Sequence, residues 1–167
     1  MSRFWKRAAC AAMAVGALTL SRVSAAQTCS GGSSIAIAKT ADLNFGSLVA
    51  TGAAGTAVID PTTGNRTLTG GVFAGSSTGY NPAGFSIALC GPGGSTYYIL
   101  IPLGAITLNG SSGGTMTVDT FQSHPPALTP VNGTITTTFT VGATLHVGAN
   151  QTQGTYTGVF SVWVVRP

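Results

Sequence analysis

Acidic side chains are almost missing from this chain. Its 167 residues hold no glutamate and three aspartates, Asp42, Asp60 and Asp119. Acid–base catalysis and hard-metal binding both need carboxylates that converge, and these three lie far apart without Asp-x-Asp-x-Asp-Gly spacing. Histidine is nearly as scarce. His124 sits in a proline-rich loop tip, and His146, between Leu145 and Val147, points opposite that apolar pair and reads as a solvated strand residue. The serines are many, but no Gly-x-Ser-x-Gly stands in a strand-to-helix elbow. No His/Cys cluster has metal-ligand spacing. The expectation is a protein that is not an enzyme, with no cofactor and no metal.

Helical periodicity is also missing after the first 26 residues. No window there places apolar residues three and four apart, and stretches rich in Glu, Leu or Lys do not occur. Long apolar runs are confined to residues 8–20. They follow a basic start, Arg3, Lys6 and Arg7, and precede the small residues Val23-Ser24-Ala25-Ala26. That order is a secretory signal peptide, residues 1–26, cut after Ala25 or Ala26. A membrane anchor fits less well, because these 13 residues fall short of the ~20 that span a bilayer. Gln27-Thr28 before Cys29 lacks the small and apolar residues of a lipid-attachment site. The expected location is therefore exported: periplasm, cell surface or extracellular.

Positive charge leaves with that leader. The formal charge of +4 comes from Arg3, Lys6, Arg7 and Arg22. What stays is Lys39, Arg66 and Arg166 against the three aspartates, a neutral balance. Nucleic acid and acidic lipid, which need a basic patch, are not expected partners. No transmembrane segment is expected in residues 27–167, which are long enough for one domain with its own core. Cys10 goes with the leader, leaving Cys29 and Cys90. An even pair in an exported chain favours a disulfide. Closing a loop of about 60 residues stabilises by ~4 kcal/mol on the chain-entropy model. Two buried free thiols are the alternative.

What is present is turn chemistry and short apolar alternations. Ile35-Ala36-Ile37-Ala38 alternates; Asp42-Leu43-Asn44-Phe45-Gly46-Ser47-Leu48 is a compact apolar patch ended by residues 52–55. A short strand over 56–59 stops at Asp60-Pro61. Residues 66–73 read as a strand interrupted at Gly70-Gly71 by a bulge or close approach. Phe85, Ile87 and Leu89 share one face of a strand, and residues 97–101 form another, closed by Pro102. Ile106-Thr107-Leu108 comes before an Asn109-Gly110 turn. Met116, Val118 and Thr120 alternate with Thr117 and Asp119, ahead of a loop at His124-Pro125-Pro126. Asn132-Gly133 is a hairpin signal, and residues 134–147 make a long strand kinked at Gly142. The last stretch, 154–165, turns Tyr156, Phe160, Val162 and Val164 to one face and Val159, Trp163 and Val165 to the other. Apolar on both sides, it is either central in a sandwich or in need of a partner.

Short strands with Gly, Pro and Asn turns predict an all-β, antiparallel, immunoglobulin-like sandwich over residues 27–167. The glycine pairs 31–32, 70–71, 93–94 and 113–114 precede no helix, so turn-making explains them better than phosphate binding. Tyr80, Tyr97 and Tyr98 could stack on a sugar; packing is the commoner account.

Four blocks carry a family resemblance. The Leu43-Asn44-Phe45-Gly46 opening, Val58-Ile59-Asp60-Pro61-Thr62-Thr63-Gly64-Asn65-Arg66, Val141-Gly142-Ala143-Thr144-Leu145-His146-Val147 and Gly154-x-Tyr156-x-Gly158-x-Phe160-x-Val162-x-Val164 stand in the order seen in a secreted proteobacterial family. That family, domain of unknown function 4402, resembles spore-coat-protein-U-type and Mat-type fimbrial subunits. The resemblance implies a pilin-like, non-enzymatic subunit of a fimbria-like or coat-like surface assembly. It also implies an incomplete sandwich filled by a strand from a periplasmic chaperone or a like subunit. Tyr156, Phe160, Val162 and Val164 would form the strand-pairing surface.

The chain departs from that pattern at its start. Residues 27–34, ahead of Ile35, lack the apolar alternation of a donor strand. If Ile35-Ala36-Ile37-Ala38 belongs to the first strand, nothing remains to donate, and the chain accepts a strand at a fibre tip or completes itself. The alternative function is a self-contained secreted binding module, with loops such as 75–82 or 91–95 contacting a glycan or a surface protein. A small outer-membrane barrel is disfavoured by missing aromatic girdles and the Arg166-Pro167 end.

Overall fold

The computed structural model describes residues 13–14, 34–90, 98–126 and 136–165. They contain eleven strands and no helix. These are β1 (Met13–Ala14), β2 (Ser34–Ala41), β3 (Ser47–Ile59), β4 (Arg66–Ala74), β5 (Ala83–Cys90) and β6 (Tyr98–Leu100). The rest are β7 (Ile106–Gly110), β8 (Thr115–His124), β9 (Thr136–Val147), β10 (Tyr156–Thr157) and β11 (Trp163–Val165). The all-β, antiparallel expectation holds, and the curled arrangement is that of a sandwich. Met13–Ala14, inside the predicted leader, lies against Leu48 and Ser47 of β3. Cys29, Tyr97 and the Asn132-Gly133 signal lie outside the described residues. Nothing described tests the Cys29–Cys90 bridge.

β9 organises the sheet. Along one edge it pairs with β8. Along the other its first half pairs with β5 and its second half with β3. β5 carries β2, and β3 carries β4. The switch between neighbours falls at Gly142, where a Cβ would sit 2.0 Å from the Ile59 carbonyl. Only glycine lets the backbones approach this closely. The inward faces meet in one core, in which Phe85 stacks on Phe139 at 4.8 Å. Alternation decides which residues enter it: Phe139, Val141, Leu145 and Val147 of β9 are all buried.

Two expectations are corrected. Residues 52–55 do not end the apolar patch, because β3 runs through them to Ile59. The register against β4 slips between Ala50 and Gly55, opposite Gly70 (φ 64°). A Cβ on Gly55 would meet the Thr69 carbonyl at 2.1 Å, so these glycines form a bulge with close backbone contact rather than a stop. The second correction is Thr120, expected to share a face with Met116 and Val118. A bulge between Asp119 and Gln122 changes the phase, turning Thr120 (φ 49°) outward and Phe121 and Ser123 inward. An apolar ring replaces a hydroxyl in the core as a result.

One guanidinium ties the start of β3 to the loop before β5. Arg66 donates from Nη1 to the carbonyls of Phe45 (2.7 Å) and Ser47 (3.3 Å), and from Nη2 to that of Ser76 (2.6 Å). Its Cζ lies over the Tyr80 ring, 4.5 Å from the ring centre. Desolvation draws the Arg66 pKa down from its ordinary value, yet a guanidinium remains charged in proteins. Gly46 (φ 73°) makes the cradle, since a Cβ there would come within 2.7 Å of Nη1.

Candidate functional site

The stretch 154–165 is not one continuous strand. Tyr156–Thr157 pairs with β7, and Trp163–Val165 pairs with β6, with Trp163 opposite Leu100 and Val165 opposite Tyr98. Between them, Gly158 lies so close to β7 that a Cβ would meet the Leu108 side chain at 2.6 Å.

The alternation of side chains nevertheless persists. Tyr156 is fully buried, and its hydroxyl donates to the Thr152 carbonyl. Gln151 Nε2 donates to that hydroxyl (2.8 Å) and to the Thr115 carbonyl (3.0 Å). A buried tyrosine bonding backbone four residues upstream is the arrangement of a tyrosine corner in β-sandwiches. Phe160 is buried between Phe121 (5.2 Å, tilted) and Phe85 (6.5 Å, edge-on). Val162 and Val164 are half-buried against the same core.

The opposite face is uncovered. Val159, Trp163 and Val165 are 49%, 56% and 39% exposed, and Leu103, just past β6, is fully exposed. Beside them lies a hollow of about 590 Å³, lined among others by Ile101, Leu103, Ile106, Val159, Phe160 and Trp163. No charged side chain lines it. Among the described residues β6 and β11 pair only with each other, so their outer edges carry backbone donors and acceptors without strand partners. Sequence reasoning singled out residues 154–165 but not Leu103. Its isolation between Pro102 and Gly104 gives no periodic signal.

The polar candidates fall elsewhere. His146 and Asp119 form a cross-strand pair, Nε2 to Oδ1, at 2.9 Å on the exposed face. The His146 hydrogen bond holds the Asp119 carboxyl below its ordinary value. Lys39 pairs with Asp42. Tyr80 is engaged by Arg66, and His124 is exposed at the end of β8. Among the described residues no three His, Cys, Asp or Glu side chains gather as metal ligands. Among the described residues no helix is long and apolar enough to cross a membrane.

A model of one protein family matches residues 35–165, and its description is "Domain of unknown function (DUF4402)". The match covers most of the chain, which therefore belongs to that family. No curated protein matches the chain, and no solved structure matches it either.

Proposed function

We propose that this chain is a non-enzymatic, exported structural subunit of a fimbria-like or coat-like surface assembly, held by β-strand complementation. The observation that carries this reading is the uncovered β6–β11 ribbon beside an uncharged apolar hollow. An extended apolar segment laid along β6 or β11 would satisfy the outer backbone groups and bury Trp163, Val159 and Leu103 in one step. The resemblance to spore-coat-protein-U-type and Mat-type subunits supports the same reading.

The chain would act as an acceptor. Ile35-Ala36-Ile37-Ala38 is already committed: Ile35 lies opposite Leu89 and Ile37 opposite Ile87, in register within β2 and β5. That segment is therefore not free to donate to a neighbour. The occupant is the strand of a chaperone during export and of another subunit afterwards, with this chain at an end of the fibre.

The test is the double variant Leu103→Ser/Trp163→Ser, expressed with its leader. Both side chains are exposed, so the folded monomer should melt within about 2 °C of the parent. Retention on the cell surface should fall, with the protein recovered from periplasm or medium instead. Unchanged surface retention of a folded variant contradicts the proposal.

A further inference from the structure

The ribbon is not alone in having an open edge. β4 pairs with β3 along one side, and among the described residues no strand pairs with its other side. Long free edges are normally guarded by an exposed charge, a proline or a very short strand, because their bare amides and carbonyls recruit another strand. Other free edges here carry such guards. β2 holds the Lys39–Asp42 pair, β8 past Val118 runs into Pro125-Pro126, and β10 has two residues. β4 runs for nine residues without a proline. Its one charged residue, Arg66, has its guanidinium drawn back onto the carbonyls of Phe45, Ser47 and Ser76.

The pairing with β3 fixes which backbone groups face outward. At one end the Asp60 amide donates to the Asn65 carbonyl (3.0 Å), and at the other the Gly75 amide donates to the Ser47 carbonyl (2.9 Å). The extra residues of the bulge lie in β3, so β4 keeps one phase throughout. Hydrogen-bonded and non-hydrogen-bonded pairs alternate, which turns the backbone groups of Arg66, Leu68, Val72 and Ala74 away from β3. Thr67, Thr69 and Phe73 stand on the exposed face, while Leu68 and Val72 pack on the core. Phe73 is 59% exposed; among the described residues the other exposed large apolar side chains, Leu103, Val159, Trp163 and Val165, all belong to the ribbon region.

From this edge we infer that two copies of the chain pair through β4, joining their sheets across a two-fold axis. With the axis at Gly70, all nine residues overlap in an antiparallel ladder and the outward groups meet in phase. Leu68 then lies opposite the partner's Val72 on the core face, and Thr67 opposite the partner's Phe73 on the exposed face. Both contacts are cross-strand pairs of an apolar or β-branched residue with its complement. Gly70, at the axis, has no side chain to hold the copies apart. No free charge is brought against its own image, since Arg66 is occupied within its own subunit and faces the partner's Ala74. One strand pair is a small interface, so the dissociation constant should be about 10–100 µM. No residue of the β6–β11 ribbon takes part, and the pairing does not depend on strand docking there.

The experiment is sedimentation velocity on the protein expressed with its leader and purified, from about 1 to 200 µM. A monomer–dimer equilibrium is expected. Phe73→Lys should weaken it by about tenfold or more while melting within about 2 °C of the parent, because the ring is exposed. Thr67→Cys/Phe73→Cys should form a covalent dimer on oxidation, since opposed non-hydrogen-bonded residues meet disulfide geometry. Leu103→Ser/Trp163→Ser should leave the equilibrium unchanged. Four results would overturn the inference: a monomer at the highest concentration, a dimer equally strong in folded Phe73→Lys, no cross-link in the cysteine variant, or a dimer lost in the ribbon variant.

Discussion

Replacing Arg66 by methionine would remove the guanidinium that clamps three backbone carbonyls together. Three carbonyls lose a donor: Phe45, Ser47 and Ser76, at 2.7, 3.3 and 2.6 Å. A hydrogen bond from a charged donor contributes about 1.5–3 kcal/mol net when well enclosed. Arg66 is only partly buried, and the 3.3 Å bond is long, so each of these bonds contributes nearer about 1 kcal/mol. The cation–π contact with Tyr80 adds about 0.5–1 kcal/mol. Methionine preserves much of the stem packing, so the expected loss is about 3 kcal/mol, or roughly 10 °C in melting temperature for a domain of this size. Lysine keeps the charge but cannot reach three carbonyls at once, and should cost about half as much. Thermal unfolding followed by circular dichroism measures both. Hydrogen exchange should show faster opening at residues 45–47 and 75–80 than in the sheet core. If Arg66→Met melts within about 1 °C of the parent, the clamp is not holding these segments.

Three further outcomes can be checked alongside. Tyr156→Phe leaves the ring in place but removes the partner of the Thr152 carbonyl and of Gln151. It should cost about 2 kcal/mol in urea unfolding. Thr120→Asn should stabilise by about 0.5–1 kcal/mol in the same assay, because a β-branched residue at φ 49° is strained and asparagine tolerates that region. Asp119 has a carboxyl lowered by His146, so its contribution is present above the unfolded value near 3.8 and is lost as pH falls through the folded one. Asp119→Asn should therefore flatten the decline in melting temperature below about pH 4.

Much of the fold was legible because alternation and turn residues report directly on strands. Phe85 and Ile87 share a buried face as their spacing requires, and the Gly142 kink falls where β9 changes neighbours. Legibility failed where glycine or threonine serves a three-dimensional purpose. Gly52 to Gly55 looks like a terminator, and only the facing Gly70-Gly71 shows that small residues here permit a bulge between two strands. Thr120 continues a perfect period in sequence, and nothing local announces the extra residue that breaks it. The Arg66 clamp was equally hidden, since its acceptors are carbonyls that any residue possesses.

The candidate site divides in the same way. Its apolar ribbon was visible as a doubly greasy stretch, while Tyr156, Phe160, Val162 and Val164, the expected strand-pairing surface, are buried or half-buried against the core. Which flank stays uncovered depends on β6 and Leu103, brought up from sixty residues earlier in the chain.

Hydrogen exchange at the backbone amides of Trp163, Val164 and Val165 tests the central claim most directly. It compares purified monomer with protein taken intact from the cell surface. The strand-docking account predicts rapid exchange at the outward-facing amides of the monomer and strong protection in the surface-derived form. Equal exchange in the two forms would contradict it.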